Sequence, residues 1–109
     1  MSDQFVTVAN ATEVPVGEAR VVELPALGAR LALCNVGGTI YAIDDTCTHD
    51  DGPLGAGRLD GHAIECPRHG ARFDVRDGRV LRMPAAFPVR TYPTRVIDGS
   101  IQVDLGDLS

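Results

Sequence analysis

The chain has 109 residues, 44% of them hydrophobic, and sets 15 acidic against 10 basic side chains for a formal charge of −5. Such a length suits one domain with a modest core, and the acidic balance argues against a nucleic-acid partner. Three cysteines offer no disulfide framework, which points to a reducing compartment, the cytoplasm, and Met1-Ser2-Asp3-Gln4-Phe5 has no basic run leading to a long apolar stretch. Neither a secretion signal nor a membrane span is expected.

In chain order, Leu31-Ala32-Leu33-Cys34-Asn35-Val36 is the first clear strand. It is apolar on both faces, so Cys34 is expected as a buried, inert thiol. Gly37-Gly38, Asp60-Gly61, Asp77-Gly78 and Asp98-Gly99 are hairpin signals, because Gly and Asp tolerate the positive φ of two-residue turns. A two-residue loop at Asp98-Gly99 pairs Val96 with Ile101 and Thr94 with Val103, leaving Ser100, Gln102 and Asp104 on the opposite, wetter face. His62 follows the second turn and is expected to be solvated. No stretch has the period of a helix of about ten residues or more. The fold expected is all-β, an antiparallel sandwich or barrel in a single domain, 1–109. A lobe at about 45–82 is inserted in a base formed by about 1–44 and 83–109.

Within that lobe stand Cys47-Thr48-His49 and Cys66-Pro67-Arg68-His69, a C-x-H … C-x-x-H pair with sixteen residues between its arms. Each arm offers one thiolate and one imidazole, so two loops can close on one metal centre. A structural zinc ion takes the same donor types, but common zinc spacings pair Cys with Cys and His with His. A [2Fe–2S] centre with two histidines replacing two cysteines on one iron also uses this set. Two ferric ions, two sulfides, two thiolates and two neutral imidazoles sum to no net charge, which eases addition of an electron relative to an all-thiolate centre.

The spacing of the two arms, with Cys66-Pro67-Arg68-His69-Gly70-Ala71-Arg72-Phe73 read through, resembles the Rieske family, nearest to the small ferredoxins of bacterial ring-hydroxylating oxygenases. The resemblance covers roughly Tyr41 to Leu105. It implies a Rieske-like fold holding one [2Fe–2S] cluster on Cys47, His49, Cys66 and His69, with the two imidazoles as the exit edge for the electron. It further implies a monomeric one-electron carrier with no substrate chemistry of its own. A flavin-dependent, NAD(P)H-linked reductase and a terminal non-haem iron aromatic-ring-hydroxylating oxygenase would be its transient partners. Alternatives are the small Rieske-like subunit of an assimilatory nitrite reductase and, from another class, a zinc-stabilised binding module. The extra cysteines of membrane-tethered respiratory relatives are absent from Asp50-Asp51-Gly52 and Pro67-Arg68.

High-potential members carry Ser and Tyr two and four residues after the second His, hydroxyls that bond to cluster sulfurs. Ala71 and Phe73 stand there, so a potential towards the lower end is expected. Backbone N–H groups of Gly52 to Gly57 and Gly70 are the remaining candidate donors, unless these glycines only make turns. Leu81 to Pro88 is expected to pass over the cluster or to serve as a rigid connection. His49, Pro53, Leu54, Arg68, His69 and Pro84 are the expected docking patch. Asp44, Asp45, Asp50 and Asp51 flank the first arm, either as ordinary solvated loop charge or as an acidic collar that steers basic partners.

Overall fold

Leu31 to Asn35 is buried at every position, and a strand can be buried on both faces only if something covers each of them. The computed structural model describes residues 5–46, 53–67, 70–83 and 87–106 and supplies both covers. Among the described residues, three antiparallel sheets are present, none closed into a barrel. The middle sheet has the order β2 (Ala19–Leu24), β3 (Ala29–Val36), β4 (Thr39–Asp44), β9 (Thr91–Tyr92). On one side lies the terminal sheet, with β11 (Ser100–Asp104) between β1 (Phe5–Asn10) and β10 (Thr94–Ile97). On the other lies a sheet of four three-residue strands in sequence order, β5 (Arg58–Asp60), β6 (Ala63–Glu65), β7 (Arg72–Asp74) and β8 (Val80–Arg82). Helical structure among the described residues is limited to three single 3-10 turns.

The pleat of β3 divides its side chains between two cores. Leu31 and Leu33 pack with Ile40, Ala42, Tyr92, Ile101, Val103 and Leu105 against the terminal sheet. Ala32 and Cys34 join Ile43, Leu54, Ile64, Cys66, Ala71, Phe73, Val75 and Val89 under the β5–β8 sheet. Cys34 is fully buried as expected, its thiol pushed up to about 12 by burial and, secondarily, by the negative charge of Asp45.

The turns agree with the sequence at two positions and depart from it at two. Asp98 and Gly99 have φ of 51° and 78°, and the flanking strands pair Val96 with Ile101 and Thr94 with Val103. Gly37 and Gly38 close β3 onto β4 between the paired residues Val36 and Thr39. Asp60, in contrast, is itself paired with Ala63, so the corner residues are Gly61 and His62. His62 is half-buried rather than solvated, its ring standing edge-on to Tyr41 at 5.9 Å and 76°. Asp77-Gly78 lies in a wider loop because the Asp74 carboxylate captures it from within. It accepts Arg76 N at 2.9 Å, Arg76 Nε at 3.0 Å and Arg76 Nη2 at 2.8 Å. Gly78 is packed backbone to backbone: a Cβ there would sit 1.9 Å from Val89 O.

Candidate metal centre

The described residues flanking each arm are tied to one another. Around the first, Thr46 and Pro53 form an antiparallel bridge. Leu54 N donates to Asp45 O at 2.9 Å just inside it. The second is closed by Cys66 N donating to Ala71 O at 2.7 Å and Gly70 N donating to Cys66 O at 3.1 Å. Leu54 beside the first arm and Cys66 and Ala71 of the second belong to one apolar cluster, so the described flanks of both arms rest on the same patch of core. Two glycines permit close packing beside the first arm. A Cβ on Gly57 would lie 1.9 Å from Glu65 O, next to Cys66, and one on Gly55 would strike the Val21 side chain at 2.4 Å.

A Rieske [2Fe-2S] domain profile matches residues 4–93. The chain belongs to the Rieske family. It is similar, at 37% identity over 96% of this chain and 99% of the relative, to the ferredoxin component of the naphthalene 1,2-dioxygenase system of Pseudomonas aeruginosa. It is 42% identical to the 3-phenylpropionate/cinnamic acid dioxygenase ferredoxin subunit of Escherichia coli K12, over 85% and 86% of the two chains. In three dimensions it superposes on a chain from the complex of reduced oxygenase and oxidised ferredoxin in carbazole 1,9a-dioxygenase. The TM-score is 0.86 and the identity 35%, covering 94% of each chain.

Of the four Rieske ligand candidates, Cys66 lies in the described structure, whereas Cys47, His49 and His69 fall outside the described residues. The donor set fits the Rieske group in kind, with one thiolate and one imidazole on each loop. Cys66 is 1% exposed, in apolar surroundings that would keep water from a metal held there. Ala71 and Phe73 are both fully buried in the cluster that contains Cys66, so neither presents a polar group there.

Several expectations need correction. Leu54 cannot belong to a docking patch, because it is 0% exposed and forms part of the core under the loops. Pro53 is half-buried, and His49, Arg68, His69 and Pro84 lie outside the described residues. The acidic collar loses Asp45, which is fully buried against Arg30, and Asp44 is engaged by the Tyr92 hydroxyl at 2.5 Å. Asp50 and Asp51 are outside the described residues, as is Gly52. The glycine amides are mostly committed: Gly55 N donates to Asp45 Oδ1 at 2.6 Å, Gly57 N to Leu54 O at 2.9 Å, and Gly70 N to Cys66 O. Of the Leu81–Pro88 stretch, 84–86 lie outside the described residues, and the flanking Leu81, Met83 and Phe87 are exposed.

Sequence reasoning gave Asp45 only a surface charge. Its hydrogen bonds were hidden because its three partners, Arg30, Leu54 and Gly55, are distant in sequence and none forms a motif with it. A carboxylate two residues before a candidate ligand cysteine was the one available signal.

Proposed function

We propose that this Rieske protein carries one electron at a time from a reductase to the terminal oxygenase of an aromatic-ring-hydroxylating system, and that Cys47, His49, Cys66 and His69 hold its cluster. The supporting observation is that the roots of both arms rest on one patch of core, so that two thiolates and two imidazoles can converge. When bound, a two-Cys, two-His [2Fe–2S] group supplies a single reversible electron at roughly −150 to +300 mV. The chain contributes an apolar cluster of Leu54, Ile64, Ala71 and Phe73 that contains Cys66, and the imidazoles would be the route out. With no hydroxyl at residues 71 or 73, the negative charge gained on reduction goes without side-chain hydrogen bonds there, favouring a low potential. The relatives that share 37% and 42% identity are components of aromatic dioxygenase systems, and a relative's structure pairs oxygenase with ferredoxin. They favour this reading over a nitrite reductase subunit or a zinc module.

The reductase is proposed to be flavin-dependent and NAD(P)H-linked, and the carrier to act as a cytoplasmic monomer. Among the described residues no helix is long and apolar enough to cross a membrane. The lobe at about 45–82, set into a base of 1–44 and 83–109, is proposed as the cluster-bearing part of the single domain.

Purified protein is expected to be red-brown, with about two irons and two labile sulfides per chain. Cys66→Ser and His69→Ala, made separately, should each abolish the stable visible spectrum. A normal spectrum in both variants would sink the ligand assignment. Reduced protein should reoxidise rapidly on adding a cognate oxygenase and only slowly without it; equal rates would overturn the carrier role.

A further inference from the structure

Asp45 is 0% exposed, yet every polar group it owns is engaged. Its N–H donates to Arg30 O at 3.0 Å and its carbonyl accepts from Leu54 N at 2.9 Å. Its Oδ1 accepts from Gly55 N at 2.6 Å and its Oδ2 from Arg30 Nε at 2.8 Å. These four bonds join the residue after β4, the turn at Leu54–Ala56 and the neighbouring β3. A Cβ on Gly55 would press to 2.8 Å from Asp45 Oδ1, so glycine is needed where the amide meets the carboxylate. A buried carboxylate is costly unless its lone pairs are filled and a cation opposes it, and both conditions are met here. Apolar packing alone would not have required a charge.

We propose that Asp45 is a positioning residue for the metal centre, a buckle that ties together the chain on either side of Cys47 and His49 and keeps a negative charge beside them. The inference rests on Cys47 and His49 being ligands. Two residues of chain span at most about 7 Å, so the Asp45 backbone cannot be far from that of Cys47. The charge of Asp45 also reaches the core under the arms, since it contributes to the raised Cys34 pKa. Two separable effects follow. The hydrogen bonds hold the two flanks of 47–52 together, which slows loss of iron, and the charge disfavours the reduced, more negative form.

The test uses the cluster-loaded protein with Asp45→Asn, Asp45→Ala and Arg30→Gln, read by the rate at which an iron chelator bleaches the visible spectrum and by the reduction potential. Asp45→Asn keeps an acceptor for Gly55 N but removes the charge. Its potential should rise by about 59 mV, a tenfold change in the one-electron equilibrium, with bleaching within about threefold of the parent. Arg30→Gln should move the potential the opposite way, a sign reversal that general loosening does not produce. Asp45→Ala should bleach about tenfold or more faster than Leu33→Ala, a control that weakens the other core. If Asp45→Ala does not fold, the opposite shifts of the other two variants still decide. Unchanged potentials in both would overturn the charge role, and Asp45→Ala bleaching no faster than the control would overturn the buckle. Cys47→Ser serves as the separate check on ligation: an intact spectrum there removes the ligand reading, whereas a lost spectrum with silent Asp45 variants removes the buckle alone.

Discussion

Residues 53–82 and the rest of the chain are stabilised by different means. Outside this segment β1, β2, β3 and β4 run for six to eight residues and bury Leu, Ile and Val between layers. Within it every strand has three residues. Six arginines face four carboxylates there, while the remainder of the chain has four arginines and eleven carboxylates. The register places Arg58 opposite Glu65, Glu65 opposite Arg72 and Arg72 opposite Arg82, one charged row across all four strands. Arg72 Nε bonds Glu65 Oε1 at 2.9 Å, and this bond is the first cause of the lowered Glu65 pKa. The difference teaches that strands too short to bury much can be kept in register by cross-strand charge and by glycines that admit close backbone contact.

The largest expected effect separates the regions by stability. Leu33→Ala, on the side of β3 facing the terminal sheet, should cost about 2–5 kcal/mol in denaturant unfolding while leaving the reduction potential of the loaded protein in place. A potential that moved with stability would show that the regions do not act separately.

Ala71→Ser and Phe73→Tyr address the other core. Each adds a hydroxyl in the cluster containing Cys66 and should raise the potential, the pair by roughly one to two steps of about 59 mV, each near 1.4 kcal/mol. Voltammetry of the four forms checks this, and unchanged values with the spectrum intact would mean that these side chains do not reach the sulfurs.

Asp74 brings pH into the comparison. Its carboxyl is held at about 2, below the ordinary 3.8, first by the Arg76 side-chain bond. Because the folded pKa is depressed, its stabilisation is present above about pH 4 and is lost as pH falls towards 2. Arg76 and Arg79 are 52% and 63% exposed, so screening reduces the contribution to on the order of 1 kcal/mol. Asp74→Asn should be less stable by that amount at pH 7 and approach the parent only as pH falls below about 2, followed by far-ultraviolet circular dichroism. A constant difference across the range would contradict the assignment.

The smallest effect concerns encounter. Reversing Arg58 and Arg82 and reversing Asp50 and Asp51 should change the rate of electron delivery to the oxygenase a few-fold in opposite directions at low salt. The rates should converge as the screening length falls below about 10 Å. Stopped-flow reoxidation over a salt series measures it, and same-sign changes would mean that the two charge sets do not steer as separate patches.

Features set by local chemistry were legible in the sequence. The Asp98-Gly99 hairpin and its register followed from two residues tolerant of positive φ. The two-sided strand at Leu31 to Asn35 followed from an apolar run with no alternation. What was not legible depended on contacts across the chain. Leu54 read as a surface residue beside a candidate ligand arm, yet β2 and β3 pack against its turn and bury it. Asp60-Gly61 shifted by one residue because Asp60 pairs with Ala63. Asp77-Gly78 opened into a wider loop because Asp74 reached forward to Arg76. In the candidate site, the mixed Cys and His arms were visible as a motif, whereas the Asp45 connections required Arg30 and Gly55 to be seen beside it.

The raised pKa of Cys34 turns that thiol into a timer. At about 12, with no exposed surface, only about one molecule in 10⁵ would carry the thiolate at pH 7, and reagents that attack thiolates have no path to it. Cys34 should therefore react only when β3 parts from the sheet packed over it. Its alkylation under native conditions would count openings of the layered body one by one, separately from colour, iron content and electron transfer.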